Sequence, residues 1–180
     1  MLTQLSTVKA RLAIPEADTT NDALLTAAIK AVSARFDKAT NRNLARAENA
    51  TFEFPSNDTE LSPPAYPVES VSKFELKTDE AEGWTEQPDI KYLIRNACVI
   101  SLPRPLSTLH SALSRITYAG GYVLPGTERA PGQTPLPDDL EQAAVEQVAF
   151  WFQNREHIGL KTYWPSGMWS MTIISPFSDN

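Results

Sequence analysis

The stretch LPDDLEQAAVEQVAFWFQNRE, residues 136–156, decides the fold. It begins with Pro-Asp-Asp, a typical start of a helix, and its pattern predicts a helix over about 137–157. Nearly all positions outside one narrow polar stripe are apolar or small. Since a surface helix needs only one apolar stripe, this helix has to be covered on several sides. The polar stripe consists of Asp139, Gln142, Glu146 and Gln153.

Two arrangements can supply that cover. A monomer can bury the helix centrally beneath its own sheet, or a neighbouring subunit can cover what its own domain leaves exposed. In both arrangements the apolar residues of the helix serve core and subunit packing. We assign this role to Leu140, Ala144, Val148, Trp151 and Phe152.

Two further helices are predicted near the N-terminus. A short helix over about 3–13, capped by Thr3, stops before Pro15. A longer helix over about 21–42 begins at a cap formed by Asn21 or Asp22. Its apolar residues recur at helical spacings of four and three, which predicts one buried face. These residues are Leu25, Ile29, Val32, Phe36 and Ala39.

Between the helices, residues of about 50–121 form short runs rich in β-branched and aromatic residues, separated by loops that carry prolines and acids. They predict an antiparallel sheet inserted into the helical bundle, and therefore an α+β fold in a single domain of residues 1–159. Gly120 and Gly121 allow positive φ or a tight turn after the last strand. On either side of this pair, Tyr118 and Tyr122 either fix the strand end against the C-terminal helix or are ordinary core aromatics.

The C-terminal segment, residues 160–180, is predicted to be an extended arm, because its prolines and glycines prevent a long helix. Chain ends are poorly ordered unless they are docked, so an apolar arm is expected to pack on its own domain or on another subunit. The arm residues expected to dock are Tyr163, Trp164, Trp169, Ile173, Ile174 and Phe177.

Two groups of charged residues are candidates for an interface. Arg35, Lys38 and Arg42 fall together on one flank of the long helix, as a solvated edge or as a basic stripe that meets an acidic partner or passing DNA. Arg155 and Glu156, at the end of the C-terminal helix, either bridge subunits or are solvated.

Composition excludes some classes of function. The net charge of −6 argues against a general nucleic-acid-binding protein. The sequence has neither an apolar run of the ~18 residues that a membrane helix needs nor a signal-peptide pattern, so we expect synthesis in a cytoplasm and no membrane association.

The sequence lacks the common phosphate-loop, dinucleotide-binding, zinc-protease and nucleophile-elbow motifs. Cys98, the single cysteine, lies in an apolar alternating run that predicts a buried structural thiol. His110 and His157 have no metal-binding spacing. We therefore predict no catalytic, cofactor-binding or metal-binding residue, and no enzyme.

The pattern RITYAGGYVLPG, residues 115–126, followed by LPDDLEQAAVEQVAFWFQNRE resembles the head–tail connector (adaptor) proteins of long-tailed bacteriophages. The first part of the chain, with its short helix, acidic spacer and long helix ending near an Asn-Arg pair, is similar to the same family. The resemblance covers residues 2–46 and 115–157; the middle region and the arm are less characteristic.

The resemblance implies a structural protein of the virion neck, made in the host cytoplasm. Connector proteins form a ring, usually of twelve copies, that sits on the portal protein of the capsid, extends the DNA channel and presents a surface to the next neck or tail component. DNA passes without sequence-specific contacts. They have no catalytic activity and need no cofactor, and the arm is then expected to dock on the portal or on a neighbouring copy.

Three alternatives are open. The first is another ring of the neck or tail, such as a head-closure or tail-terminator protein. The second is a small-molecule enzyme, which requires a concave site with titrating groups of perturbed pKa. The third is a monomeric binding module.

Overall fold

The computed structural model describes residues 1–109 and 112–155, which contain three helices and seven strands. The α+β fold class is confirmed. In chain order the elements are α1 (Leu5–Arg11), α2 (Asp22–Thr40), β1 (Ala47–Pro55), β2 (Glu60–Leu61), β3 (Val68–Lys77), β4 (Thr85–Glu86), β5 (Leu93–Arg95), β6 (Val99–Ser101), β7 (Leu113–Gly120) and α3 (Asp138–Gln153).

The helices are shorter than predicted. Helix α2 ends where Asn41 adopts a left-handed conformation (φ 51°), and the Arg42 N–H then donates to the Asp37 carbonyl at 3.0 Å. Asn21 is the N-cap residue of α2, as predicted, but makes no capping bond through its side chain. The cap predicted at Thr3 is wrong, because Gln4 is the N-cap residue of α1. The hydroxyl of Thr3 instead donates to Glu141 of α3 at 3.1 Å, because α1 and α3 are adjacent.

Two antiparallel sheets form the inserted region. The larger has the strand order β1-β7-β3-β4 and the smaller β2-β6-β5. In the larger sheet Ile116 of β7 is the register partner of both Phe52 and Phe74. One face of this sheet therefore carries a row of large apolar side chains, as the period-two pattern of strands requires.

The apolar residues form two separate clusters. In the first, α1, α2 and α3 pack against one another; in the second, the two sheets enclose the aromatic row. The hypothesis that a monomer buries the C-terminal helix beneath its own sheet is wrong for the described residues. The buried members of the helical cluster are Leu2, Val8, Leu25, Ile29, Val32, Leu44, Leu136, Ala144, Val145 and Val148.

Tyr118 belongs to the sheet cluster, whereas Tyr122 packs against the helical cluster. The expectation that both fix the strand end against α3 is wrong for Tyr118, because strand alternation points it to the same face as Ile116. Its hydroxyl accepts a hydrogen bond from the Ala65 N–H at 3.0 Å, and burial raises the pKa of Tyr118. It is an ordinary core aromatic of the sheet.

The two clusters are joined at Gly120 and Gly121. Gly121 has φ +97° and its N–H donates to the Pro67 carbonyl at 3.0 Å. Directly after it, the N–H of Tyr122 donates to Leu44 O at 2.8 Å and the Tyr122 carbonyl accepts from the Arg46 N–H at 2.9 Å. The chain thus leaves the helices and returns to them through two segments, residues 44–46 and 120–122, that lie side by side. The glycine pair was expected to allow positive φ or a tight turn, and the positive φ is found at Gly121.

Cys98 is half-buried, so the prediction of a buried thiol is wrong. The apolar run around it is broken by a tight turn between β5 and β6, in which Asn96 and Ala97 adopt positive φ angles of 51° and 54°. The turn places Cys98 at the end of the hairpin.

Candidate subunit interface

Helix α3 has one face inside the helical cluster. Ala144, Val145, Val148 and Ala149 are buried there. Among the residues predicted to serve packing, Ala144 and Val148 are therefore in the core, while Leu140, Trp151 and Phe152 are half-buried at its edge. Their additional role in contacts between subunits stays a prediction.

The opposite face of α3 is exposed. Asp139, Ala143, Glu146, Phe150 and Gln153 follow one another at spacings of four and three, which aligns them on one side of the helix. Phe150 is exposed by 54 %, an unusual state for a large aromatic side chain in the middle of a helix.

The sequence interpretation missed Phe150 and concentrated on the two aromatic residues that follow it. A signal was present, because Phe150 is four residues after Glu146 and three before Gln153, inside the polar stripe. A phenylalanine within a polar stripe is the residue that needs cover from elsewhere.

The polar stripe is also where α1 is tied to α3. The guanidinium of Arg11 donates to both carboxylate oxygens of Glu146, at 2.8 and 2.9 Å, and Gln142 donates to the same carboxylate at 2.8 Å. The hydrogen bond from Arg11 is the main reason that the pKa of Glu146 is lowered. Glu146 therefore links α1 to α3 through an ion pair at the surface.

The predicted basic flank of α2 is formed only in part. Arg35 and Lys38 are exposed on the helix. Arg42 lies beyond the helix end, with its guanidinium 3.1 Å from the centroid of the Tyr66 ring and donating to the Tyr66 carbonyl at 2.8 Å. Arg42 therefore packs on the sheet side of the molecule, and its role in a charged interface stays a prediction.

At the end of α3 the Arg155 guanidinium lies 4.8 Å from the centroid of the Phe152 ring. Its predicted partner Glu156 lies outside the described residues, and so do His110, His157 and all of the arm. The arm residues concerned are Tyr163, Trp164, Trp169, Ile173, Ile174 and Phe177.

Glu75, on the outer face of the larger sheet, is a carboxylate with two cationic partners. It is 5 % exposed. Its carboxylate accepts from Arg115 Nε at 2.8 Å and from Lys73 Nζ at 2.9 Å. Both hydrogen bonds lower the pKa of Glu75, and the bond from Arg115 has the larger effect. The Arg115 guanidinium in turn lies 4.3 Å from the centroid of the Trp84 ring.

Substituting Glu75 by glutamine is expected to lower the free energy of unfolding by about 1–2 kcal/mol at pH 7, because the charged hydrogen bonds are lost. A carboxyl whose pKa is lowered in the folded state stabilises it above the unfolded pKa of about 4.3. That contribution disappears as the pH falls through the folded pKa. Urea unfolding of both proteins at pH 7 and pH 3 is the measurement, and the difference between them should shrink at pH 3. An equal difference at both pH values would contradict this account.

A groove of about 740 Å³ lies between residues 87–91 and residues 103–108. The carboxyls of shifted pKa, Glu75, Glu146 and Asp18, do not line it. Within residues 1–109 and 112–155, no cluster of three or more His, Cys, Asp or Glu side chains is arranged to hold a metal ion. No helix in that part of the chain has the length and apolar character to cross a membrane.

Comparisons with known proteins identify one family and one fold. A family model described as "Head completion protein" matches residues 1–159. A chain of a solved structure described as "Neck of empty GTA particle computed with C6 symmetry" aligns with a TM-score of 0.60 and 16 % identity, over 93 % of this chain and 83 % of that chain. A chain of "Virion of native gene transfer agent (GTA) particle" aligns with a TM-score of 0.56 and 17 % identity, over the same shares. No curated protein matches the chain.

Proposed function

Because the chain belongs to the head completion protein family, we propose that it is a structural protein of the neck of a phage-like particle, a connector ring on the portal. The observation that carries this proposal is the extent of the family match, which runs through the helical bundle and the inserted sheets alike. The resemblance to phage connector proteins, drawn from the two ends of the chain, agrees with it.

The fold that the chain shares with a protein of a particle neck supports a ring. That neck was computed with C6 symmetry, and a ring of six or of twelve copies contains a sixfold axis. The connector resemblance favours twelve. In a closed ring each copy presents two different surfaces to its neighbours.

The partners of such a ring are the portal protein on one side and the next neck or tail component on the other. DNA passes through the ring without sequence-specific contacts. The net charge of −6 suits a channel whose wall does not bind the DNA, because like charges repel. The role needs neither a cofactor nor catalysis. The protein is made in the host cytoplasm and ends in the virion neck.

Electron microscopy of particles assembled without this protein tests the proposal. We expect heads and tails to accumulate separately, and wild-type particles to carry a ring of this chain between portal and tail. Complete tailed particles in its absence would overturn the proposal. Co-purification of the chain with the tail tube instead of the portal would favour a head-closure or tail-terminator protein.

The arm, residues 160–180, is proposed to dock on the portal, since extended apolar segments join partners by strand addition or by filling a groove. Deleting residues 160–180 is expected to weaken binding to purified portal at least tenfold, while the thermal unfolding midpoint of the protein stays unchanged. Surface plasmon resonance and circular dichroism are the two measurements. Portal binding as tight as that of the full chain would assign the arm another role.

A further inference from the structure

We propose that the partner of the exposed α3 face is a second copy of this chain, which presents the outer face of its α2. The contact is head-to-tail: α3 of one copy lies on α2 of the next. The inference rests on the proposed ring and names the two surfaces that close it.

The first surface is acidic with one aromatic residue. The α3 face consists of Asp139, Ala143, Glu146, Phe150 and Gln153, as described above. Asp138 and Asp139 are exposed at the start of the helix, and no lysine or arginine occurs between Asp138 and Gln153. Glu146 on this face is paired with Arg11, so the negative charge of the surface is that of Asp138 and Asp139, and Phe150 lies toward the other end of the helix.

The second surface is basic and flat. On α2, the core residues Leu25, Ile29 and Val32 define the buried side. The opposite side carries exposed residues at the same alternating spacings of three and four, and small side chains dominate its middle. These residues are Leu24, Ala27, Ala31, Ala34 and Lys38.

The exposed charges of α2 complement those of α3. Lys30, Arg35 and Lys38 are exposed cations. Of the two acids of α2, Asp22 is paired with Lys9 at 2.6 Å, whereas Asp37 accepts from the Leu44 N–H at 3.1 Å and keeps its charge, so the cations outnumber the remaining acid. The α2 face is therefore cationic. The methyl groups of its alanines form a flat apolar surface on which the Phe150 ring can lie.

A symmetric contact between identical faces is disfavoured. Pairing α3 with α3 brings acidic residues together, and pairing α2 with α2 brings cations together, so both cost electrostatic energy. Helices α2 and α3 pack on each other through their buried sides, and their exposed faces consequently point away from each other. Two unlike faces on opposite sides of one subunit generate the heterologous contact from which rings are built.

Disulfide cross-linking tests the contact. In a Cys98→Ser background, one variant carries Ala31→Cys, on the α2 face, and the other Phe150→Cys, on the α3 face. Particles are assembled with each variant alone, with both variants together bearing different tags, and with one chain carrying both cysteines. They are oxidised mildly and separated on non-reducing gels. A pair of Leu93→Cys with Ala31→Cys is the matched control, because Leu93 is 70 % exposed but lies on β5.

The expected result is a mixed dimer when both variants are present, a ladder of multimers from the doubly substituted chain, and no product from either variant alone or from the control pair. Dimers from a single variant would overturn the inference in favour of a symmetric contact. A product that links Phe150→Cys to a cysteine of the portal would overturn it too.

Microscopy of the same particles separates the two levels of the proposal. A ring without cross-links overturns the assigned faces and leaves the proposed function standing. Particles whose neck lacks the chain overturn the proposed function.

As a second measurement, Phe150→Ala is expected to weaken association between copies roughly 30-fold with an unchanged melting temperature, as for a central aromatic of an interface. Leu93→Ala should leave association unchanged, and equal effects of both substitutions would contradict the inference.

Discussion

Substituting Gly121 by alanine is expected to lower the free energy of unfolding by about 2–5 kcal/mol, a large part of the stability of an ordinary domain. Two costs add. A residue with a Cβ pays about 1–2 kcal/mol for a left-handed conformation such as φ +97°. A Cβ at this position also lies 2.7 Å from the Ala45 carbonyl oxygen and 2.9 Å from the Arg46 Cα, and overpacking against backbone costs about 1–3 kcal/mol. Urea unfolding followed by circular dichroism is the measurement.

Two other glycines separate these costs. Gly132 has φ +88° with nothing within 4 Å of a Cβ, so Gly132→Ala carries the conformational cost alone. Gly120 has no positive φ, but a Cβ there meets the Ala65 carbonyl, so Gly120→Ala carries the steric cost alone. Gly121→Ala should destabilise the protein more than Gly132→Ala, because the steric cost is added to the conformational one. A loss no greater than that of Gly132→Ala would mean that residues 44–46 move aside freely.

Substituting Lys9 by alanine is expected to cost about 3 kcal/mol. The residue is 3 % exposed, and its Nζ lies 2.6 Å from Asp22 Oδ1 while donating to the Glu16 carbonyl at 3.0 Å. In the part of the chain that the structure describes, no donor meets Asp22 Oδ1 at hydrogen-bonding geometry, so the contact with Lys9 is an ion pair and not a directional bond. Removing Lys9 leaves the charge of Asp22 without its partner, and breaking a buried ion pair usually costs about 3–5 kcal/mol of stability. We expect the lower end of that range because the Asp22 side chain is 29 % exposed.

Arg11→Ala is the matched control on the same helix. Its ion pair with Glu146 joins side chains that are 47 % and 45 % exposed. Exposed pairs contribute little to stability, so the loss should be a small fraction of that for Lys9→Ala. Thermal and urea unfolding of both variants are the measurements. A comparable loss for the two variants would contradict the stabilising role of the buried Lys9–Asp22 pair.

Much of the helical fold was predictable from sequence because one periodic pattern determined it. The predicted apolar seam is buried at Leu25, Ile29 and Val32, but its last member, Ala39, is exposed near the end of α2. Helix bounds were less certain, since polar residues such as Thr3 that can act as caps can equally bond to another helix. The inserted region was predicted as strands, but its division into two sheets depends on pairing between β1 and β7, far apart in sequence, which local patterns do not encode.

The candidate interface was predicted less well. Ala144 and Val148 follow the apolar pattern into the core, as expected. Phe150 was missed because aromatic content was weighed more heavily than position on the helical wheel. Arg42 was assigned to the same flank as Arg35, but the left-handed residue Asn41 redirects the chain before it, and helical spacing no longer applies.

The side-by-side exit and return of the chain at residues 44–46 and 120–122 have a consequence for how such proteins can change in evolution. Both ends of the inserted β region are fixed to each other by backbone hydrogen bonds from Tyr122 to Leu44 and from Arg46 to Tyr122. These two hydrogen bonds therefore set the distance between the ends of the insertion, and that distance is independent of the insertion's size. Since loop-closure entropy grows only slowly with length, strands of the insertion can be gained, lost or exchanged while the three helices keep their mutual packing.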